Sequence, residues 1–401
     1  MSARVAGRSR GLVLQWGHHR FYLDTMLLSA CLGLLVLGYV MVASASLHLG
    51  EKMANDSFYF PKHQLAHIGM GLILAVFVAC QRLEFWEKSA HALFVAGLVL
   101  LVLVLIPGLG KEVNGSWRWL NLFGLRIQVS ELFKMFSVIY MASYITRRQY
   151  AVRTTVMGMI FPLGVLACGG VLLLLEPDFG ATAVIMSTAL GMLFLAGARL
   201  WQFGILLGTL GVAGVVLIFT SAYRLRRLLS FTDPWDDTQN TDFQLSHALI
   251  AFGRGEVSGV GLGSSVQKLF YLPEAHTDFL FSVIGEELGL LGACVVIFLF
   301  CVIIWRAFVI GQLASRSGNR FAAFLAYGIG IWFGLQAFIN MGVNMGLLPT
   351  KGLTLPLMSY GGGSVMVMCV ALALLFRVRS EVVESYMGTA RTSSSAWLRA
   401  S

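Results

Sequence analysis

Long apolar runs separated by short polar connections dominate this chain. About ten runs reach the ~20 residues that a hydrocarbon core ~30 Å thick requires of a helix, and they are nearly free of charge: 24–46, 63–80, 88–107, 130–146, 154–175, 180–198, 201–221, 279–305, 321–345 and 358–376. Backbone groups in lipid are satisfied only within a helix or a closed barrel, and the runs lack the alternation of barrel strands. The expected fold class is all-α, a polytopic membrane helix bundle with about ten transmembrane helices. The expected organisation is a tail at 1–23, a membrane domain at 24–379 and a second tail at 380–401, both tails polar and mobile. No internal repeat divides the spans into the paired halves common in transporters.

Composition agrees, since 57% hydrophobic against 12% charged residues lies outside the range of soluble domains. Orientation follows from Lys and Arg, which are retained in the cytoplasm. An internal N-terminus leaves most of the 29 there, among them Arg4, Arg8, Arg10, Arg147, Arg148, Arg153, Arg316, Arg320, Arg377 and Arg379. Both termini are thus expected inside, and the net charge of +9 reads as topology and a fit to anionic membrane lipid, with no nucleic-acid partner. The first run is too long for a signal peptide's ~7–15-residue apolar region and reads as a retained helix. All six cysteines, Cys31, Cys80, Cys168, Cys294, Cys301 and Cys369, fall within spans and read as packing residues.

One connection breaks the pattern. The stretch 222–277 is extracytoplasmic in this orientation and long enough to suggest function. Within it, 244–251 predicts a short amphipathic helix, and Gly253, Gly255, Gly259, Gly261 and Gly263 mark turns. A second outer connection, 108–128, carries Trp117, Arg118 and Trp119, which suit an interfacial belt. A third, 346–357, carries Lys351 between two prolines.

Ionisable residues inside a membrane need partners or water. Glu131 and Lys134 are spaced i, i+3 and can pair on one helix face, as a structural ion pair or as part of a site. Asp278, Ser282 and Glu286 form an i, i+4, i+8 row descending from the outer surface. Asp278 also suits a helix N-cap. Its neighbours Glu274 and His276, with the outer cations Arg254, Lys268 and Lys351, suit a substrate bearing phosphate and a transferable proton.

At these residues the chain resembles the SEDS family (shape, elongation, division and sporulation). The resemblance is carried by YLPEAHTDFLFSVIGEELG at 271–289, AFGRGE at 251–256, GLGSSVQK at 261–268, SWRW at 116–119, RIQVSELFK at 126–134, EPDFG at 176–180 and TKGLTLPLMSYGGGS at 350–364. It spans essentially the whole membrane portion and is most similar to the cell-division branch. Val129 and Gly363 stand where the family more often has Pro and Ser, both near helix ends.

The resemblance implies a peptidoglycan glycosyltransferase of the bacterial inner membrane, acting at the division septum. Its substrates would be lipid II and the nascent glycan; its partners, a class B penicillin-binding protein (the division transpeptidase) and other divisome proteins. It implies Asp278 as general base, substrate contacts at Arg254, Lys268, Glu274, His276, Lys351 and Ser359, with Arg118 a weaker candidate, and Glu131, Lys134 and Glu286 shaping the cavity. A divalent cation, Mg or Mn, would suit the pyrophosphate, but no ligand spacing demands a metal or other cofactor. The main alternative is a lipid II flippase without polymerase activity. The long outer loop ending at a carboxylate favours an enzyme.

Overall fold

A computed structural model describes residues 12–16, 19–113, 116–122, 125–220, 243–269, 272, 274–349 and 352–400. Ten helices take up the ten apolar runs: α1 (Thr25–Ala54), α2 (Tyr59–Cys80), α3 (Leu83–Leu105), α4 (Val129–Arg147), α6 (Met157–Leu175), α7 (Phe179–Leu195), α8 (Leu200–Phe219), α10 (Leu280–Arg316), α11 (Arg320–Asn344) and α12 (Gly362–Ala400). Six of these, α1, α2, α3, α6, α10 and α11, are long and apolar enough to cross a membrane by length and composition alone. Two short helices, α5 (Gln149–Thr154) and α9 (Phe243–Gly255), lie in connections. The helix expected at 244–251 is α9, longer by a turn at its C-terminal end.

Starts follow local chemistry. The side chains of Asp24, Asp178 and Asn319 cap α1, α7 and α11, accepting from Leu27 N, Ala181 N and Ala322 N at 3.0–3.2 Å. Helices in lipid associate through close packing more than through exclusion of water. Glycines permit it here. A Cβ at Gly38 would lie 2.5 Å from Met358 Cα, and one at Gly169 would lie 2.2 Å from the ring of Phe133, which also abuts Gly97.

Three features depart from the sequence expectation. The outer connection 108–128 carries an antiparallel sheet, β3 (Gly110–Val113), β4 (Ser116–Leu122) and β5 (Leu125–Gln128), in which Leu120 pairs with Ile127 and Leu122 with Leu125 across β4 and β5. Secondary structure also extends into the polar ends: β1 (Leu12–Trp16) and β2 (His19–Leu23) pair antiparallel, and α12 continues to Ala400, into the tail expected at 380–401. Arg377 Nε holds Glu381 at 2.9 Å, one turn on, and Glu381 also accepts from Leu83 N at 2.9 Å.

The third departure is in α10, which the apolar run 279–305 predicts as a single rod. At Gly289 the backbone turns to φ 65°, ψ −162°, and the helix breaks into 280–288 and 290–316. The second piece, 27 residues at about 1.5 Å each, is enough to cross the bilayer. A break leaves carbonyls and amides without intrahelical partners, and non-helical backbone at membrane depth is tolerated only inside protein or beside water. The glycine-rich segment after α9 supplies the partners. Val260 N and Gly261 N donate to Glu286 O and Glu287 O at 3.0 and 3.1 Å, and Leu290 N and Leu291 N donate to Glu256 O and Val257 O at 3.0 and 3.2 Å.

Candidate active site

The outer end of the bundle gathers the start of α10, the end of α11 and the segment 352–361. Asp278 sits in the turn before α10, half-buried. The capping position of α10 falls to Phe279, which makes no side-chain cap bond. Asn344 of α11 serves the first turn instead, accepting from Ser282 N at 3.1 Å and Ser282 Oγ at 2.8 Å. Asp278 is thus not needed for that task. Its carboxyl lies over Gly352, where a Cβ would be 3.2 Å from Oδ2.

A row of amides holds this arrangement, which sequence reasoning missed. Gln336, Asn340 and Asn344 repeat at i, i+4, i+8 along α11, so they share one face, and each is at most 2% exposed. Gln336 accepts from Lys134 Nζ at 2.6 Å and Trp332 Nε1 at 3.0 Å, and donates to Thr354 O at 3.1 Å. Asn340 Nδ2 donates to Asp278 O at 2.9 Å and Leu353 O at 2.6 Å. Asn344 Nδ2 donates to Asp278 O at 2.9 Å. The periodicity was the available signal.

Glu131 and Lys134 pair at 2.8 Å, both nearly inaccessible, and the amide row connects them to the Asp278 end. The cavity beside Lys134, Ser137, Thr188 and Trp332 is about 10 Å³, room for one water and too small for a sugar.

Glu286 and Glu287, which immediately precede the break, are both fully buried. Glu286 accepts from Ser265 Oγ and from Val266 N at 3.1 Å, with Arg254 Nη1 at 3.6 Å. Lys268, expected as an exposed substrate contact, instead donates to Glu287 at 2.7 Å and Ser44 at 3.0 Å, with its side chain 8% exposed. A buried carboxylate demands a nearby cation, and Lys268 meets that demand. Arg254 is 44% exposed and keeps an outward face.

Glu274 accepts from Thr277 Oγ1 at 2.7 Å and holds φ at 58°, a left-handed backbone that non-glycine residues adopt at a cost. His276 packs 4.9 Å from the Phe60 ring and 5.5 Å from Tyr360. Burial lowers its pKa from the ordinary imidazole value, with Glu274 opposing. Ser359 is buried and serves its own turn, accepting from Leu355 N at 2.9 Å. Lys351 lies outside the described residues. Arg118 donates to Glu176 O at 3.0 Å and Pro177 O at 2.7 Å. Among the described residues neither carboxyl oxygen of Glu176 has a hydrogen-bond partner. Burial, then Asp178, push its pKa up to about 8 against the pull of Arg118.

Comparison with known proteins gives a consistent picture. Residues 25–384 match the model of the FtsW, RodA and SpoVE family, described as cell cycle proteins. The chain is 70% identical to a probable peptidoglycan glycosyltransferase FtsW of Methylococcus capsulatus, over 98% of each chain. It is 58% identical to the protein of the same description in Methylomonas methanica, over 91% of this chain and 94% of that one. Among solved structures, a chain of a peptidoglycan synthase complex coordinating polymerization and crosslinking superposes with a TM-score of 0.73 at 26% identity, covering 92% of this chain and 99% of that chain. The rod-shape-determining protein RodA of Thermus thermophilus superposes with a TM-score of 0.64 at 25% identity, covering 89% and 96%.

Proposed function

The chain belongs to the FtsW, RodA and SpoVE family of cell cycle proteins, the SEDS family, and from that premise we propose that Asp278 is the general base of its reaction. The chain is a multi-pass membrane protein and a peptidoglycan glycosyltransferase. In our reading it polymerises lipid II at the outer face. An acceptor sugar's 4-hydroxyl attacks the anomeric carbon of a lipid-linked donor, its proton passes to Asp278, and undecaprenyl pyrophosphate leaves.

The observation that carries this reading is the Asp278 carboxyl itself, half-buried beside Gly352 while Asn344 serves the helix end. Arg254, with its outward face, and Arg118 are the cations we assign to pyrophosphate or glycan. His276 and Glu274 line the approach. Glu131 and Lys134 act as the internal brace, and Glu286 and Lys268 hold the glycine-rich segment in place. Among the described residues no three His, Cys, Asp or Glu side chains converge as metal ligands. In our reading a divalent cation, Mg or Mn, would enter with the pyrophosphate.

The solved synthase complex supports a crosslinking partner. We take this to be a class B penicillin-binding protein, with other divisome proteins and a septal location following from the same reading.

Purified protein given labelled lipid II tests this. Wild type should yield glycan polymer, and Asp278→Asn, of matched yield and melting temperature, should lose roughly 10²-fold or more in rate. Near-normal polymer from that variant removes Asp278 as base. Lipid II crossing liposome membranes with no polymer formed would favour the flippase.

A further inference from the structure

We propose that Asn340 and Asn344 are positioning residues for the glycosyl transfer, setting the Asp278 carboxyl in place through the main chain of Asp278. This rests on the reading of Asp278 as the base. Asp278 lies in a turn, so its place depends on what grips that turn. Two carboxamides one helical turn apart both donate to its carbonyl oxygen at 2.9 Å. Asn340 Nδ2 also donates to Leu353 O at 2.6 Å, so a single atom ties the base-bearing turn to the segment 352–361 that faces it. The Asp278 carboxyl and Gly352, the residue before Leu353, confront each other across the gap thus fixed. Asn344 adds the second restraint, bonding the Ser282 amide and hydroxyl so that the turn and the first turn of α10 move together.

Neutral amides suit this task. A lysine or arginine in the same place would stabilise the carboxylate and weaken it as a base, whereas a carboxamide fixes geometry without adding charge. Both residues are buried and belong to α11, a helix anchored independently of the turn it grips.

Steady-state polymerisation by the full-length protein tests the inference, using Asn340→Leu alone and combined with Asp278→Asn, with Asn340→Ser as a smaller variant if Leu is not accommodated in the fold. Misplacing a reacting group by about 1 Å costs up to ~10²-fold. We therefore expect kcat for Asn340→Leu to fall by about 10- to 100-fold, the lipid II KM to stay within about threefold and the melting temperature to hold. In the Asp278→Asn background the same change should cause no further loss, because the group it positions is already gone. A full repeat of the loss in that background would mean less folded enzyme, and would overturn the proposal. An unimpaired Asn340→Leu beside a crippled Asp278→Asn would overturn the positioning role alone. An active Asp278→Asn would remove the base and the positioning role together.

Discussion

Neutralising Glu131 or Lys134 alone should harm the protein more than neutralising both. Each is at most 2% exposed, and a lone buried charge costs about 3–5 kcal/mol. Glu131→Gln with Lys134→Met should therefore recover melting temperature relative to either single change. Lys268 makes the opposite case from a sequence standpoint. Lys268→Ala should lower stability by about 3 kcal/mol, because Glu287 is left unpaired, while the folded fraction keeps its lipid II affinity. Glu176 lies in the α6–α7 connection, and its folded pKa of about 8 stands above the unfolded carboxyl value of 4.5. The folded state then holds the extra proton between those values, so stability present at acid pH is lost as pH rises through about 8. Glu176→Gln should raise the melting temperature at pH 8 by roughly a few degrees more than at pH 5. The Glu131–Lys134 pair was legible because its members are three residues apart. Lys268 was not, since Ser44 lies 224 residues away, and the α11 amides were passed over because uncharged groups in a membrane raise no electrostatic alarm.

Among elements, the break in α10 makes the sharpest demand on residue type. A Cβ at Gly259, itself at φ +80°, would lie 2.2 Å from Glu287 O, and one at Gly289 would lie 2.4 Å from Gly259 N. Gly263 shares the positive φ but has no atom within 4 Å. Gly259→Ala should therefore displace the docked segment, lowering stability by about 2–4 kcal/mol and exposing 256–268 to protease, whereas Gly263→Ala should cost only about 1 kcal/mol of backbone strain. The ten helices were readable because about 20 apolar residues have no alternative in lipid. The break was not, because Gly289 stands in an uninterrupted helical pattern and the groups that stabilise it come from 30 residues upstream. Nor was the sheet β3–β4–β5, which the belt reading of its tryptophans concealed.

Across the whole molecule, three helices are knotted together at Asp24. Its Oδ1 caps α1, while Oδ2 accepts from Arg306 of α10 and Arg379 of α12. Asp24→Asn keeps the cap but strips two arginines of their carboxylate, so a loss of about 3 kcal/mol or more is expected, read as a lower melting temperature in detergent with the helical content unchanged. The charge bias did not reveal the common partner of Arg306 and Arg379, since positive residues near a membrane read first as topology. Beside this knot, Tyr22 N donates to Ser380 Oγ at 3.3 Å, joining the start of the first crossing to the end of the last. That bond brings the two ends of the bundle together. The bundle is in effect a ring with one nick, so a short peptide joining residue 22 to residue 380 should close it with the fold retained.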